Sequence, residues 1–114
     1  HSTMPISYKG YDLYIKNANG QWQYAASGSL KAYKGEKTET FTLIENMDGT
    51  MHECMMYMPM YSEVISCKIG IDDDAVIEPL KSVFRHRIAV YGSSFTQGVS
   101  TDRSGTSYSH AIYA

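Results

Sequence analysis

No apolar run in this sequence approaches the roughly 18 residues a membrane-spanning helix requires, so none of its segments is expected to cross a bilayer as a helix. Charge of one sign is missing too. Ten Lys and Arg stand against twelve Asp and Glu, a formal net charge of −2, which offers no basic footprint for nucleic acid. Cysteine is scarce: Cys54 and Cys67 allow at most one disulfide, if their strands are neighbours, and otherwise read as two free thiols in the interior. The opening His1-Ser2-Thr3 has neither a charged n-region nor an apolar core, so no signal peptide is read. The compartment stays open, with secretion or a periplasmic location among the options.

What is present is β-forming. The 114 residues suit one domain by length, and ten tyrosines favour strands over helices. Residues 11–16 alternate, with Tyr11, Leu13 and Ile15 against Asp12, Tyr14 and Lys16, the period of a half-buried strand. Asn17-Ala18-Asn19-Gly20 reads as a turn whose Asn19-Gly20 supplies positive φ, and residues 21–26 return as the partner strand. Trp22 and Tyr24 on that strand offer flat faces on which a sugar ring could stack; ordinary cross-strand aromatic pairing is the commoner use of such residues. Residues 27–37 are polar and glycine-containing and read as a loop, with room for a short edge strand.

Residues 38–45 alternate again around Phe41 and Leu43, Asn46-Met47-Asp48-Gly49 is a second turn signal, and residues 50–58 read as a returning strand, which together predict a second hairpin. Methionines crowd this strand beside His52 and Cys54. Soft ligands of that kind suit Cu(I), but methionine is also the adaptable filler of cores, and no metal or other cofactor is assigned. A further strand is predicted over residues 63–71, and Asp72-Asp73-Asp74 reads as a solvated turn, since the EF-hand spacing of a calcium loop is absent.

The character changes at residues 76–84, where Pro79 interrupts any ladder, and a basic cluster of Arg85, His86 and Arg87 follows. A boundary is therefore placed between residues 1–80 and 81–114. Ile88, Ala89, Val90 and Tyr91 form a short apolar run, expected as a strand buried on both faces in a parallel sheet. It empties into Gly92-Ser93-Ser94-Phe95-Thr96-Gln97-Gly98, a small hydroxyl-rich turn, and a helix is expected to begin at Thr106. A serine at a strand-to-helix turn, where backbone N–H groups converge, suits a nucleophile.

This block resembles the first block of the SGNH hydrolases, the GDSL-like esterases and lipases, in which a buried strand ends in Gly-Asp-Ser-(Leu/Ile)-Thr with a glycine nearby. The resemblance implies Ser94 as the catalytic nucleophile and Gly92, Ser94 and Gly98 as the turn that forms it and its oxyanion site. Ser93 stands where the family pattern has Asp. Arg103, Gly105 and Tyr108 are similar to the family's approach to its first helix. The arrangement of the whole chain resembles SGNH hydrolases that carry a β-sandwich, jelly-roll-like accessory domain before the catalytic one. The expected fold is therefore mainly β, an antiparallel sandwich over residues 1–80 followed by the first strand, turn and helix of an α/β domain.

By that resemblance the substrate is an acyl ester, with acetyl esters on carbohydrate a natural class, and the activity is serine hydrolysis. The family's later Gly and Asn blocks and its Asp-x-x-His do not occur before Ala114, so the chain alone is expected to be inactive. His86 and His110 are poorly placed as substitutes, at the far end of the strand and on the departing helix. The alternative is a non-catalytic module that docks a glycan or another domain. Ile88 and Val90 would then leave an adhesive apolar patch, which predicts self-association or a companion catalytic polypeptide.

Overall fold

A computed structural model of the chain describes residues 5–30 and 38–107. Among these residues three strands, β1 (Gly10–Lys16), β2 (Trp22–Ser29) and β3 (Cys54–Tyr57), form one antiparallel sheet in the order β2-β1-β3. A short helix, α1 (Pro5–Lys9), leads into β1. A one-turn helix, α2 (Ser94–Gln97), and a 3-10 turn, Ser104–Thr106, follow later in the chain.

β1 is central because it is the strand with a neighbour on each edge, so both sides of its backbone ladder are paired. The expected alternation holds along it. Tyr11 and Leu13 are 7% and 9% exposed, and the Tyr11 ring packs on Phe41 at 5.9 Å between centroids. On the other face Tyr14 meets Tyr24 and Tyr57 edge to face, at 5.9 and 5.4 Å, a geometry that aligns ring edges with ring faces. Asp12 shares that face and is fully buried.

The first hairpin forms where expected, with one correction to its turn. Gly20 alone adopts positive φ (78°), not Asn19. The loop is held by the Asn17 side chain, whose Oδ1 accepts the N–H groups of Asn19 and Gln21 at 3.0 and 2.9 Å, an Asx-type arrangement. β2 also carries a bulge: Leu13 pairs with Ala26 but Tyr14 pairs with Tyr24, leaving Ala25 as the extra residue. Without the bulge Tyr24 and Ser27 would point to opposite faces. With it they share one, and their hydroxyls lie 2.9 Å apart.

Other expectations are corrected. The second hairpin does not form: the turn before Thr50 is present, with Asn46 at φ 57° and Gly49 at φ 74°, but residues 38–45 are not a strand and β3 pairs with β1 instead. Phe41 explains part of this. A Cβ on Gly28 would overlap the Phe41 ring, so the segment is fixed by a ring seated on β2 and Tyr11 and not by a ladder. Residues 63–71 are not a strand either, and Ile65 and Ile69 are exposed. Asp72 to Ala75 do form the solvated turn, closed by Ala75 N–H to Asp72 O at 2.9 Å. Cys54 and Cys67 are both free and exposed, neither bridged nor interior.

The run 88–91 is also not a buried strand. Such a strand needs ladder partners on its edges, and none of the described residues supplies one: Ile88 is 79% exposed and Tyr91 fully so. The described residues are mainly β and make a single three-stranded sheet, with no second sheet packed against it among them. Residues 31–37 and the helix expected from Thr106 onward lie, beyond the 3-10 turn, outside the described residues. No helix among those described is long and apolar enough to cross a membrane.

Candidate functional site

The block 92–98 is a self-packed turn. A Cβ on Gly92 would overlap Thr96 Oγ1, so glycine at the start lets the threonine four residues on fold back against the main chain. Ser93 is extended (φ −88°, ψ −167°) and ends the incoming chain, and Ser94 opens α2. Gly98 closes the turn in the left-handed region at φ 104°, where side chains are strained. Its N–H donates to Ser94 O and Phe95 O at 3.0 and 3.1 Å, and Val99 N–H donates to Ser94 O at 2.9 Å. A Cβ on Gly98 would also come within 2.7 Å of Ser107 Cβ.

This turn is docked from two sides. On one, Tyr61 Oη donates to Ser94 O at 3.0 Å and Gln97 Nε2 donates to Met60 O at 2.7 Å, joining it to the chain that leaves β3. On the other, Thr101 Oγ1 donates to Gly98 O at 2.9 Å, and the next residues reach β1. There Gly105 N–H donates to Asp12 Oδ2 at 2.7 Å, Ser104 Oγ donates to Gly10 O at 2.8 Å, and Arg103 Nε lies 3.2 Å from Asp12 Oδ2. That Arg103 contact is an ion pair without the alignment of a hydrogen bond.

Asp12 is the hub. Its second oxygen accepts Ser27 Oγ at 2.7 Å, so the fully buried carboxylate has a partner on each oxygen, as a buried charge requires. The Arg103 guanidinium continues outward, with Nη2 donating to Tyr14 Oη at 3.4 Å and Cζ 4.2 Å from the Tyr24 ring centroid. Planar, delocalised charge suits such a stacked and forked position.

Of the residues singled out from sequence, Gly92, Ser94 and Gly98 come together. Gly92 and Ser94, but not Gly98, border an open concavity of about 800 Å³ whose other wall is Met56, Met58 and Met60. Ser94 is exposed there, and among the described residues no side chain accepts its hydroxyl proton. His86 is exposed and makes no hydrogen bond to Ser94; His110 lies outside the described residues. His52 is held by Asp48 Oδ1 at 2.7 Å and Thr50 Oγ1 at 3.1 Å. Three hydrogen bonds to Asp48, led by the Thr50 N–H and then the His52 ring, hold its carboxyl down at about 2. No group of three or more His, Cys, Asp and Glu able to hold a metal occurs among the described residues.

Trp22 and Tyr24 stand elsewhere, side by side on one face of β2. Each ring faces a cation, Lys16 Nζ at 5.5 Å from Trp22 and Arg103 at Tyr24, while Tyr24 stays 48% exposed. Sequence reasoning missed Asp12 and the partner role of Arg103. The available signal was an acid inside an alternating strand, at a position flanked by the tyrosines of both faces.

The chain belongs to the GxDLY family, the N-terminus of SGNH hydrolase-type esterases, whose family model matches residues 1–77. The motif is Gly10-Tyr11-Asp12-Leu13-Tyr14, the strand just described. No curated protein matches the chain, and no solved structure does.

Proposed function

We propose that this chain is the N-terminal part of an SGNH-type serine esterase, with residues 1–80 an accessory β unit, residues 81–114 the start of the catalytic domain, and Ser94 the nucleophile. The observation that carries the reading is the docking of the serine turn onto the GxDLY strand: the family match covers the strand, and the turn beyond it is tied to that strand through residues 101–105. Ser94 Oγ attacks the acyl carbon of an ester, its proton passing to a general base. The tetrahedral intermediate then expels the alcohol, which takes up that proton, and water hydrolyses the acyl-serine. Gly98 N–H is engaged in the turn, so Ser94's own N–H, a first-turn donor without an intrahelical acceptor, is the oxyanion donor this chain offers. Acetyl and other small acyl esters on carbohydrate are the substrate class proposed. No described side chain serves Ser94 as base, so the chain by itself is expected to turn over little or no ester.

The test is hydrolysis of p-nitrophenyl acetate by the full-length enzyme and its Ser94→Ala and Ser93→Ala variants. Ser94→Ala is expected to lose about 10³-fold or more in kcat, with Ser93→Ala far milder; the reverse order would overturn the assignment. A glycan-binding module is the second reading, favoured by the shared face of Trp22 and the half-exposed Tyr24. Loss of glycan retention in Trp22→Ala and Tyr24→Ala, without loss of ester hydrolysis, would select it.

A further inference from the structure

We propose that Asp12 and Arg103 are positioning residues for Ser94, so that the GxDLY strand acts as a clamp that sets the serine turn and not only as a core strand. The inference rests on the reading of Ser94 as nucleophile.

Three positions of the motif grip three consecutive residues far away in the chain. Gly10 accepts from Ser104 through its carbonyl, Asp12 takes Arg103 and Gly105, and Tyr14 accepts from Arg103. Gly105 fits because a Cβ there would press on the Tyr14 ring at 2.7 Å and on Asp12 Oδ2 at 2.9 Å. The motif glycine is equally constrained, since a Cβ on Gly10 would overlap Ile6 O. The grip then passes to the turn by a short route: Thr101 Oγ1 donates to Gly98 O, and Gly98 N–H closes on Ser94 O. Gly98 is also wedged against Ser107, which is fully buried beside the clamp.

A core acid that merely filled space would be a poor choice, because an apolar residue avoids the desolvation of a charge. A carboxylate with donors on both oxygens instead fixes the direction of what it holds. Here it holds the segment that ends the serine turn. α2 is a single turn with no side-chain cap at Ser93, and isolated helices of that length do not persist. Its geometry therefore depends on these tertiary ties, and a displacement of about 1 Å at a reacting group can cost on the order of 100-fold in rate.

The experiment uses the full-length enzyme with Arg103→Ala, Arg103→Lys, Asp12→Asn and Ser94→Ala. Each is assayed for kcat and KM on p-nitrophenyl acetate and for amide hydrogen exchange. Arg103→Ala is expected to lower kcat about 30- to 100-fold with KM changed less than about threefold. Arg103→Lys should fall between it and the parent, since lysine restores the charge facing Asp12 but not the fork to Tyr14. Asp12→Asn should follow Arg103→Ala. In both, the amides of Gly98 and Val99 should exchange about 10-fold faster while those of Leu13 and Ala26 keep parental rates. Parental kcat in Arg103→Ala, an effect on KM alone, or equal loosening of the sheet and the turn would each overturn the clamp. Full activity in Ser94→Ala would overturn the nucleophile instead, and the exchange pattern would still decide whether the clamp holds the turn.

Discussion

The strand Gly10–Lys16 and the stretch 63–91 are both rich in apolar residues, yet they end in opposite environments. In the first, Tyr11 and Leu13 are buried beside a carboxylate with no exposure at all. In the second, Ile65, Val83 and Ile88 are 94%, 85% and 79% exposed. Apolar content does not separate them; what does is the set of directional partners. β1 has a strand on each edge and a polar cluster that locks residues 103–105 against it. The second stretch has a turn at Asp72 and no strand partner among the described residues.

Substitutions that remove the partners should erase this contrast. Asp12→Ala leaves Arg103 half-buried without its carboxylate and Gly105 N–H and Ser27 Oγ without an acceptor. It should cost about 3–5 kcal/mol in urea unfolding, as removal of one member of a buried charge pair does. Ile69→Ala in the exposed stretch should fall within about 0.5 kcal/mol of the parent. A cost for Ile69 comparable to that for Asp12 would mean the two regions are not different in kind. Gly28→Ala should cost about 1–3 kcal/mol, because its Cβ meets the Phe41 ring and the ring must move off β2; an unchanged midpoint would show that Phe41 is not seated there.

The exposed stretch should also reveal itself in association. The parent chain is expected to self-associate as concentration rises, and serine at Ile65, Val83 and Ile88 together should reduce that association by light scattering. A monodisperse parent monomer at high concentration would remove the proposal.

The smallest effect is expected at the Asp48 turn. Its carboxyl lies at about 2 against an ordinary 3.8, so the folded state binds that proton more weakly than the unfolded chain. The contribution is present above about pH 4 and is lost as pH falls through about 2. Because the group is exposed and screened by solvent, the readout is its NMR titration: His52→Ala should move the midpoint back up toward 3.8.

Local rules were legible in the sequence wherever short-range physics decides. Alternation gave β1, the Asn-Gly signal gave its turn, and the glycine and threonine spacing of residues 92–98 marked a turn that does pack Gly92 on Thr96. Residues 38–45 and 63–71 alternate as well but are not strands, because alternation specifies a face and not a partner. The bulge at Ala25 is invisible to a period-two reading, and without it the Ser27 to Asp12 bond cannot be foreseen. Nor does any spacing rule connect Asp12 with Gly105. That pairing joins residues 93 positions apart, and it is set by tertiary folding alone.

The account turns on whether Asp12 and Arg103 act as one unit, and a double-mutant cycle measures that directly. Asp12→Asn, Arg103→Met and the double variant would be compared by urea unfolding. A coupling of about 1–3 kcal/mol is predicted, the range seen for residues within one buried network. Additivity within about 0.5 kcal/mol would contradict the clamp, leaving the GxDLY strand a core element with no hold on the serine turn.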